Sequence, residues 1–205
     1  GVGSSNCLPK TAWPPTFYIQ VTRGVAPRNH PFPEVVSPTI VAYLIPYDRP
    51  LENMQQGVKA TLMEDVRWLR CDIKSINLLG SVLAKEEAKQ KGCVEAILYR
   101  DFGVTEGSSA NIFAVKNKTL YTHPANNFIL NGITRLVVID LAKKLGYDLR
   151  ETVMSNEELL SADEIFMTST TAEITPIIQV DDHVVSAGKP GAVTKHLQDA
   201  FDALI

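Results

Sequence analysis

The stretch Arg67-Trp68-Leu69-Arg70-Cys71-Asp72-Ile73-Lys74-Ser75-Ile76-Asn77-Leu78-Leu79 most constrains what this chain can fold into. Two arginines, an aspartate and a lysine interrupt an apolar run just ahead of a helical pattern, an odd composition for a core strand. The stretch reads as a strand-to-helix junction with Lys74 at or near the helix N-terminus. The dipole of a helix opposes a positive charge there and favours the neutral, nucleophilic amine. Such an amine suits a Schiff base, although the same residues also describe a surface lysine at a strand end.

On either side the chain alternates short strands with helices. Residues 17–22 and 39–45 are β-branched and aromatic and predict strands. Between them, residues 25–38 hold four prolines and read as an extended loop. Residues 46–53 are polar and proline-bounded, the best candidate for a domain linker. Residues 1–16 are rich in Pro, Gly and Ser and read as irregular. Beyond the linker, strands are expected near 58–62, 95–100, 109–115, 119–122, 148–154, 164–168 and 177–180, with a short pair at 184–185. Helices are expected over 77–91, 133–145, 155–161 and 190–204. Leu78, Leu79, Val82 and Leu83 share one face of the first of these helices. Ser155 and Glu158 have capping-box spacing. The fold class is therefore α+β, or mixed α/β. The expected organisation is a partial N-terminal domain over 1–48 and a larger domain over 49–205.

Bulk properties exclude several function classes. A net charge of -3 over 205 residues argues against nucleic acid or an anionic membrane as partner. The longest apolar runs are far too short to span a bilayer. Cys7, Cys71 and Cys93 have neither metal-site nor disulfide spacing, which favours a reducing, cytoplasmic setting and no metal.

Besides Lys74, four segments carry chemistry. In Leu130-Asn131-Gly132-Ile133-Thr134-Arg135 a glycine precedes a helix whose first N–H groups are free, with the Thr134 hydroxyl beside them, an anion site. Ser169-Thr170-Thr171 ends a strand and offers further donors. Two such donor clusters suit a phosphate held without metal. Glu106 lies in the Gly- and Ser-rich bend 104–110 and would accept a hydrogen bond from a protonated ring nitrogen. Arg28 and His30, two apart on the proline-stiffened loop, form a carboxylate trap. A lysine nucleophile, a phosphate cup, a ring-nitrogen acid and a carboxylate trap together suit pyridoxal 5'-phosphate.

These segments, in this order and spacing, resemble the signature segments of the class IV, fold type IV pyridoxal-phosphate aminotransferases. The run Tyr18-Ile19-Gln20-Val21-Thr22-Arg23-Gly24 with Arg28 and His30 resembles the D-amino-acid branch. The resemblance implies a Schiff base on Lys74 and a ring-nitrogen contact from Glu106. It implies support of the cofactor by Arg67 and packing of Leu130 on the ring. Phosphate binding falls to Ile133, Thr134, Ser169 and Thr170. Arg28 and His30 bind the substrate carboxylate, reaching into the partner site of an obligate homodimer. The implied reaction moves an amino group from a D-amino acid, D-alanine, to a 2-oxo acid, 2-oxoglutarate. The alternatives are a branched-chain aminotransferase, an aminodeoxychorismate lyase, or a folded remnant that lacks activity.

Two departures from the family pattern stand out. Ala110 occupies a position where some relatives carry a third serine. The family also has strands, and an arginine that clamps the phosphate, ahead of Tyr18. Residues 1–16 do not resemble that region, so the chain reads as N-terminally truncated. One lost charge-assisted contact of this kind costs roughly 1.5–3 kcal/mol.

Overall fold

The computed structural model describes residues 14–205. The chain divides into two compact units, one up to Arg49 and one from Pro50 to Ile205.

In the first unit β1 (Thr16–Thr22) pairs antiparallel with β2 (Thr39–Ile45), from Thr16 opposite Ile45 to Thr22 opposite Thr39. Tyr18 and Tyr43 face each other in that register, with ring centroids 4.8 Å apart. The loop between the strands needs Gly24. Its φ is +93°, and a Cβ there would lie 2.0 Å from the Ser37 carbonyl oxygen. Every residue of β2 is exposed, including Ile40, Tyr43 and Leu44.

The second unit begins with α1 (Leu51–Gln56), so the segment expected as linker is partly helical. A mixed nine-stranded sheet follows, built from β3 (Val58–Glu64), β4 (Glu95–Arg100), β5 (Gly103–Gly107), β6 (Asn111–Lys116), β7 (Thr119–Thr122), β8 (Leu149–Glu151), β9 (Glu164–Ser169), β10 (Glu173–Val180) and β11 (His183–Val184). The strand order is β5-β4-β3-β10-β9-β6-β7-β8, with β11 on β10. Pairs β3–β4, β3–β10 and β7–β8 are parallel; the others are antiparallel. Four more helices complete the unit: α2 (Leu79–Gln90), α3 (Ile133–Lys144), α4 (Asn156–Leu160) and α5 (Ala192–Asp202).

The central strands are apolar on both faces because both faces are covered. Ile112, Ala114, Ile165 and Met167 point to one core, which also takes Leu159 of α4. Phe113, Val115 and Phe166 point to the other, against Val138 and Leu141 of α3 and Leu197 of α5. Phe113 and Phe166, opposite each other in register, stack at 5.0 Å. α5 is tied down by the buried Glu164 of β9, which accepts from the Val193 and Thr194 N–H groups at 2.9 and 2.8 Å. The capping box is present: the Ser155 hydroxyl accepts from the Glu158 N–H and Glu158 from the Ser155 N–H.

Three sequence expectations are corrected. Glu106 sits in a strand, β5, rather than in the bend, because alternation is masked there by Gly103 and Gly107. Helix α2 starts at Leu79, not 77, and buries Ala84 and Ala88 while Leu79, Val82 and Leu83 stay exposed. Its most hydrophobic face is therefore turned away from the sheet. Strand β10 starts at Glu173 rather than 177, since pairing with β9 extends it back to the hydroxyl cluster.

Candidate active site

Glu106 is the focus of a polar cluster in the second unit. Strand β5 ends beside β4, with Gly107 opposite Ile97, and carries the Glu106 side chain inward until 5% of the residue is exposed. One carboxylate oxygen accepts from Arg67 Nη1 at 2.7 Å. The other accepts from Asn111 Nδ2 at 3.0 Å and from the Leu130 N–H at 3.1 Å. Burial pushes the carboxyl up to about 7, against the Arg67 charge and the Arg67 and Leu130 hydrogen bonds that pull it down.

Arg67 is fixed from behind by Asp65, whose side chain is completely buried. Asp65 Oδ1 accepts from Arg67 Nε at 2.8 Å and from the Arg67 N–H at 3.1 Å, and Oδ2 accepts from Nη2 at 2.9 Å. Thr105 Oγ1 and Arg100 Nε also donate to Oδ2, at 2.9 and 3.3 Å. Burial raises the Asp65 carboxyl, yet the Arg67 and Thr105 hydrogen bonds and the Arg67 charge outweigh it and hold it below its usual range. The Arg67 guanidinium is disfavoured by burial but, held by both carboxylates, is bound more firmly to its proton than usual.

The third side of the cluster is the loop leading into α3. Asn111 Nδ2 donates to the Leu130 carbonyl at 2.7 Å as well as to Glu106. Gly132 follows so closely that a Cβ there would lie 2.5 Å from Asn111 Oδ1. It is the N-cap of α3, and among the described residues no side chain caps the helix. The first-turn N–H groups thus lack a side-chain acceptor. Thr134 is buried and Ile133 exposed. Buried Arg135 secures this corner by donating to Asn131 Oδ1 at 2.8 Å, the His123 carbonyl at 2.8 Å and Glu151 at 2.6 Å.

On the neighbouring strand pair, Asn111 lies opposite Thr168. The hydroxyl cluster therefore begins one residue beyond the Asn111 position. Thr168 Oγ1 is buried with no hydrogen-bond partner among the described residues. Ser169 Oγ accepts from the Ala172 N–H at 3.0 Å, which shapes the turn around Thr170.

The fold thus brings together Glu106, Arg67 and Leu130 by direct hydrogen bonds, with Ile133 and Thr134 in the first turn beyond Gly132. Lys74 is exposed, in irregular backbone ahead of Leu79, so its expected place at the start of α2 is corrected. Its segment is anchored to the same loop: the Cys71 N–H donates to the Asn127 carbonyl at 2.9 Å and Asn127 Nδ2 to the Leu69 carbonyl at 2.9 Å. Gly80 packs on Arg67, with room for a Cβ only 3.0 Å from Arg67 Cγ. Arg28 and His30 are exposed in the loop of the first unit. Sequence reasoning missed Asp65 and Asn111. Their signal was slight: an acid two residues before Arg67, and an amide at the head of an apolar strand.

Comparison with known proteins follows the same lines. Residues 5–180 match the family described as amino-transferase class IV. D-alanine aminotransferase of Staphylococcus aureus (strain COL) is 51% identical over 190 residues, covering 92% of this chain and 67% of that protein. The Bacillus licheniformis D-alanine aminotransferase is 46% identical, covering 90% and 65%. Among solved structures, the branched-chain amino acid aminotransferase of Escherichia coli superimposes with a TM-score of 0.82 at 36% identity, over 92% of this chain and 64% of that one. The branched-chain aminotransferase of Thermoproteus uzoniensis gives 0.82 at 32% identity. The chain thus spans about two thirds of the length of these relatives. By the family match over most of its length and the identity to these relatives, the chain belongs to the class IV aminotransferases.

Proposed function

We propose that the protein is a pyridoxal 5'-phosphate-dependent D-amino-acid aminotransferase that exchanges the amino group between D-alanine and 2-oxoglutarate. One observation carries this reading: a buried carboxyl, Glu106, is held by Arg67 and the Leu130 N–H beside an α3 N-terminus that no side chain caps. That pairing suits a cationic ring nitrogen at one end of a ligand and a phosphate at the other. The buried Thr168 hydroxyl next to Asn111, without a partner among the described residues, fits the same polar ligand. A similar solved structure, the branched-chain amino acid aminotransferase of Thermobaculum terrenum, is in its PLP form.

When bound, the cofactor supplies an electron sink for charge developing at the substrate Cα and carries the amino group between half-reactions. This chain's residues do the rest. Lys74 would provide the amine that holds the cofactor and would move the substrate Cα proton. Glu106 holds the proton at the ring nitrogen, and Arg67 and Asn111 keep its carboxylate in place. Leu130 would pack against the cofactor ring. The first-turn N–H groups of α3 at Ile133 and Thr134, with Ser169 and Thr170, bind the phosphate. Arg28 and His30 hold the substrate carboxylate in the site of the partner subunit.

Identity favours the D-branch: 51% to a D-alanine aminotransferase against 36% to a branched-chain enzyme. The reading extends to a homodimer in the cytoplasm, with residues 49–205 as the cofactor-binding domain. The outward apolar face of α2 supports the dimer, and the free thiols of Cys71 and Cys93 support a reducing compartment. No helix among the described residues is long and apolar enough to cross a membrane. The test is to load the protein with pyridoxal phosphate and offer D-alanine or L-leucine with 2-oxoglutarate. Pyruvate and D-glutamate are expected from D-alanine; turnover of L-leucine alone would refute the assignment.

A further inference from the structure

Two buried acids share one guanidinium in this site, and only one of them has a role in the reading above. Asp65 takes Nε and Nη2 of Arg67 together with the Arg67 backbone N–H, which leaves Nη1 aimed at Glu106 Oε1. A second guanidinium closes the cluster from β4. Arg100 Nε donates to Asp65 and Nη2 to the Arg67 and Trp68 carbonyls, at 3.0 and 3.1 Å. Two carboxylates and two guanidiniums balance formally, in a region where an unpaired charge is costly.

Resting on the reading of Glu106 as the ring-nitrogen carboxylate, we propose that Asp65 is its positioning residue: by clamping Arg67 it fixes where the Glu106 carboxylate stands and how much positive charge it meets. The groups that face Glu106 are few. Arg67, Asp65 and the Cys71 thiol come from the segment after β3, Arg100 acts from β4 through Asp65, and Asn111 and the Leu130 N–H are neutral. Replacing Asp65 with Asn leaves the cluster with an excess positive charge beside Glu106. Replacing Arg100 with Gln does the opposite. Asp65 makes no hydrogen bond to Glu106 itself among the described residues; it acts on that carboxylate by holding Arg67 in place and by its own nearby charge.

The test follows the Glu106 δ-carboxyl by carbon-13 NMR in the whole cofactor-free chain, the resonance being assigned by its loss in Glu106→Gln. Asp65→Asn should lower the titration midpoint by about one pH unit, the lower end for a neighbouring opposite charge. Arg100→Gln should raise it. Opposite signs separate charge from loosening, because water entering a loosened site would lower both midpoints. With pyridoxal phosphate bound, the pH profile of the visible absorbance should move in the same two directions. An unchanged midpoint in folded Asp65→Asn, a fall in Arg100→Gln, or absorbance profiles identical in all three chains overturns the proposal. If Asp65→Asn does not fold, the sign in Arg100→Gln decides. Failure of the native chain to retain the cofactor at Lys74 would instead refute the reading of the site, with the NMR result still standing.

Discussion

At the residue scale, Glu106 couples the site to stability. Its carboxyl titrates at about 7 in the folded chain against 4.5 for an ordinary glutamate. Between those values the folded chain holds a proton that the unfolded chain has lost, so this group's contribution is full below 4.5 and disappears as the pH rises through 7. Buried His123 acts oppositely: burial lowers its ring below the usual 6.5, so its contribution is lost on acidification. The difference between native protein and Glu106→Gln isolates the first effect. In cofactor-free protein, the native chain should lose about 3 kcal/mol relative to the variant between pH 4.5 and 7. Urea denaturation across that range checks it; a pH-independent difference would contradict the assignment of the proton to Glu106.

At the scale of elements, two close approaches set the frame of the site. A Cβ on Gly132 would strike Asn111 Oδ1, so Gly132→Ala should dislodge Asn111 from Glu106 and the Leu130 carbonyl. Losing two hydrogen bonds costs about 2 kcal/mol, more than the 0.4–1 kcal/mol that Gly→Ala gains from the unfolded chain. A variant as stable as the native protein in urea would contradict this packing. The α5 N-terminus depends on Glu164, whose carboxylate also accepts from Thr194 Oγ1 at 2.7 Å. Glu164→Ala leaves those donors buried without an acceptor and should cost about 3 kcal/mol; a loss below about 0.5 kcal/mol, the range of a neutral surface change, would contradict it.

The elements also show what was legible. Strands 39–45 and 95–100 were read at their observed limits, since β-branched residues between turn signals leave little else possible. The Ser155–Glu158 box was legible because capping is local. Strand β5 was not, because Gly103 and Gly107 hide its alternation and its place depends on pairing with β4. The candidate site residues rest on one short motif at a time. Asp65 was not found, because its partners Arg100 and Thr105 lie far along the chain and meet it only in the folded sheet.

At the scale of the whole molecule, apolar surface remains to be covered. Leu79, Val82 and Leu83 of α2 are 68%, 57% and 58% exposed. A contiguous face of that kind signals an interface. A second copy of the chain covering it predicts a dimer by sedimentation, and Leu79→Glu with Leu83→Glu should shift it to monomer. A native monomer at every concentration would contradict the dimer. The periodicity shows that α2 has one apolar face but not what covers it: a helix whose apolar face meets a partner looks, in sequence, like one whose apolar face meets its own core.

The central claim is that Lys74 carries the cofactor in this fold. The most direct measurement is to incubate the protein with pyridoxal phosphate, reduce with borohydride, digest and map the modified peptide by mass spectrometry. The account predicts a phosphopyridoxyl group on Lys74, with a visible absorbance band before reduction, and neither in Lys74→Ala. A native chain that gains no band and no adduct at Lys74, or gains the adduct equally on surface lysines, would contradict it.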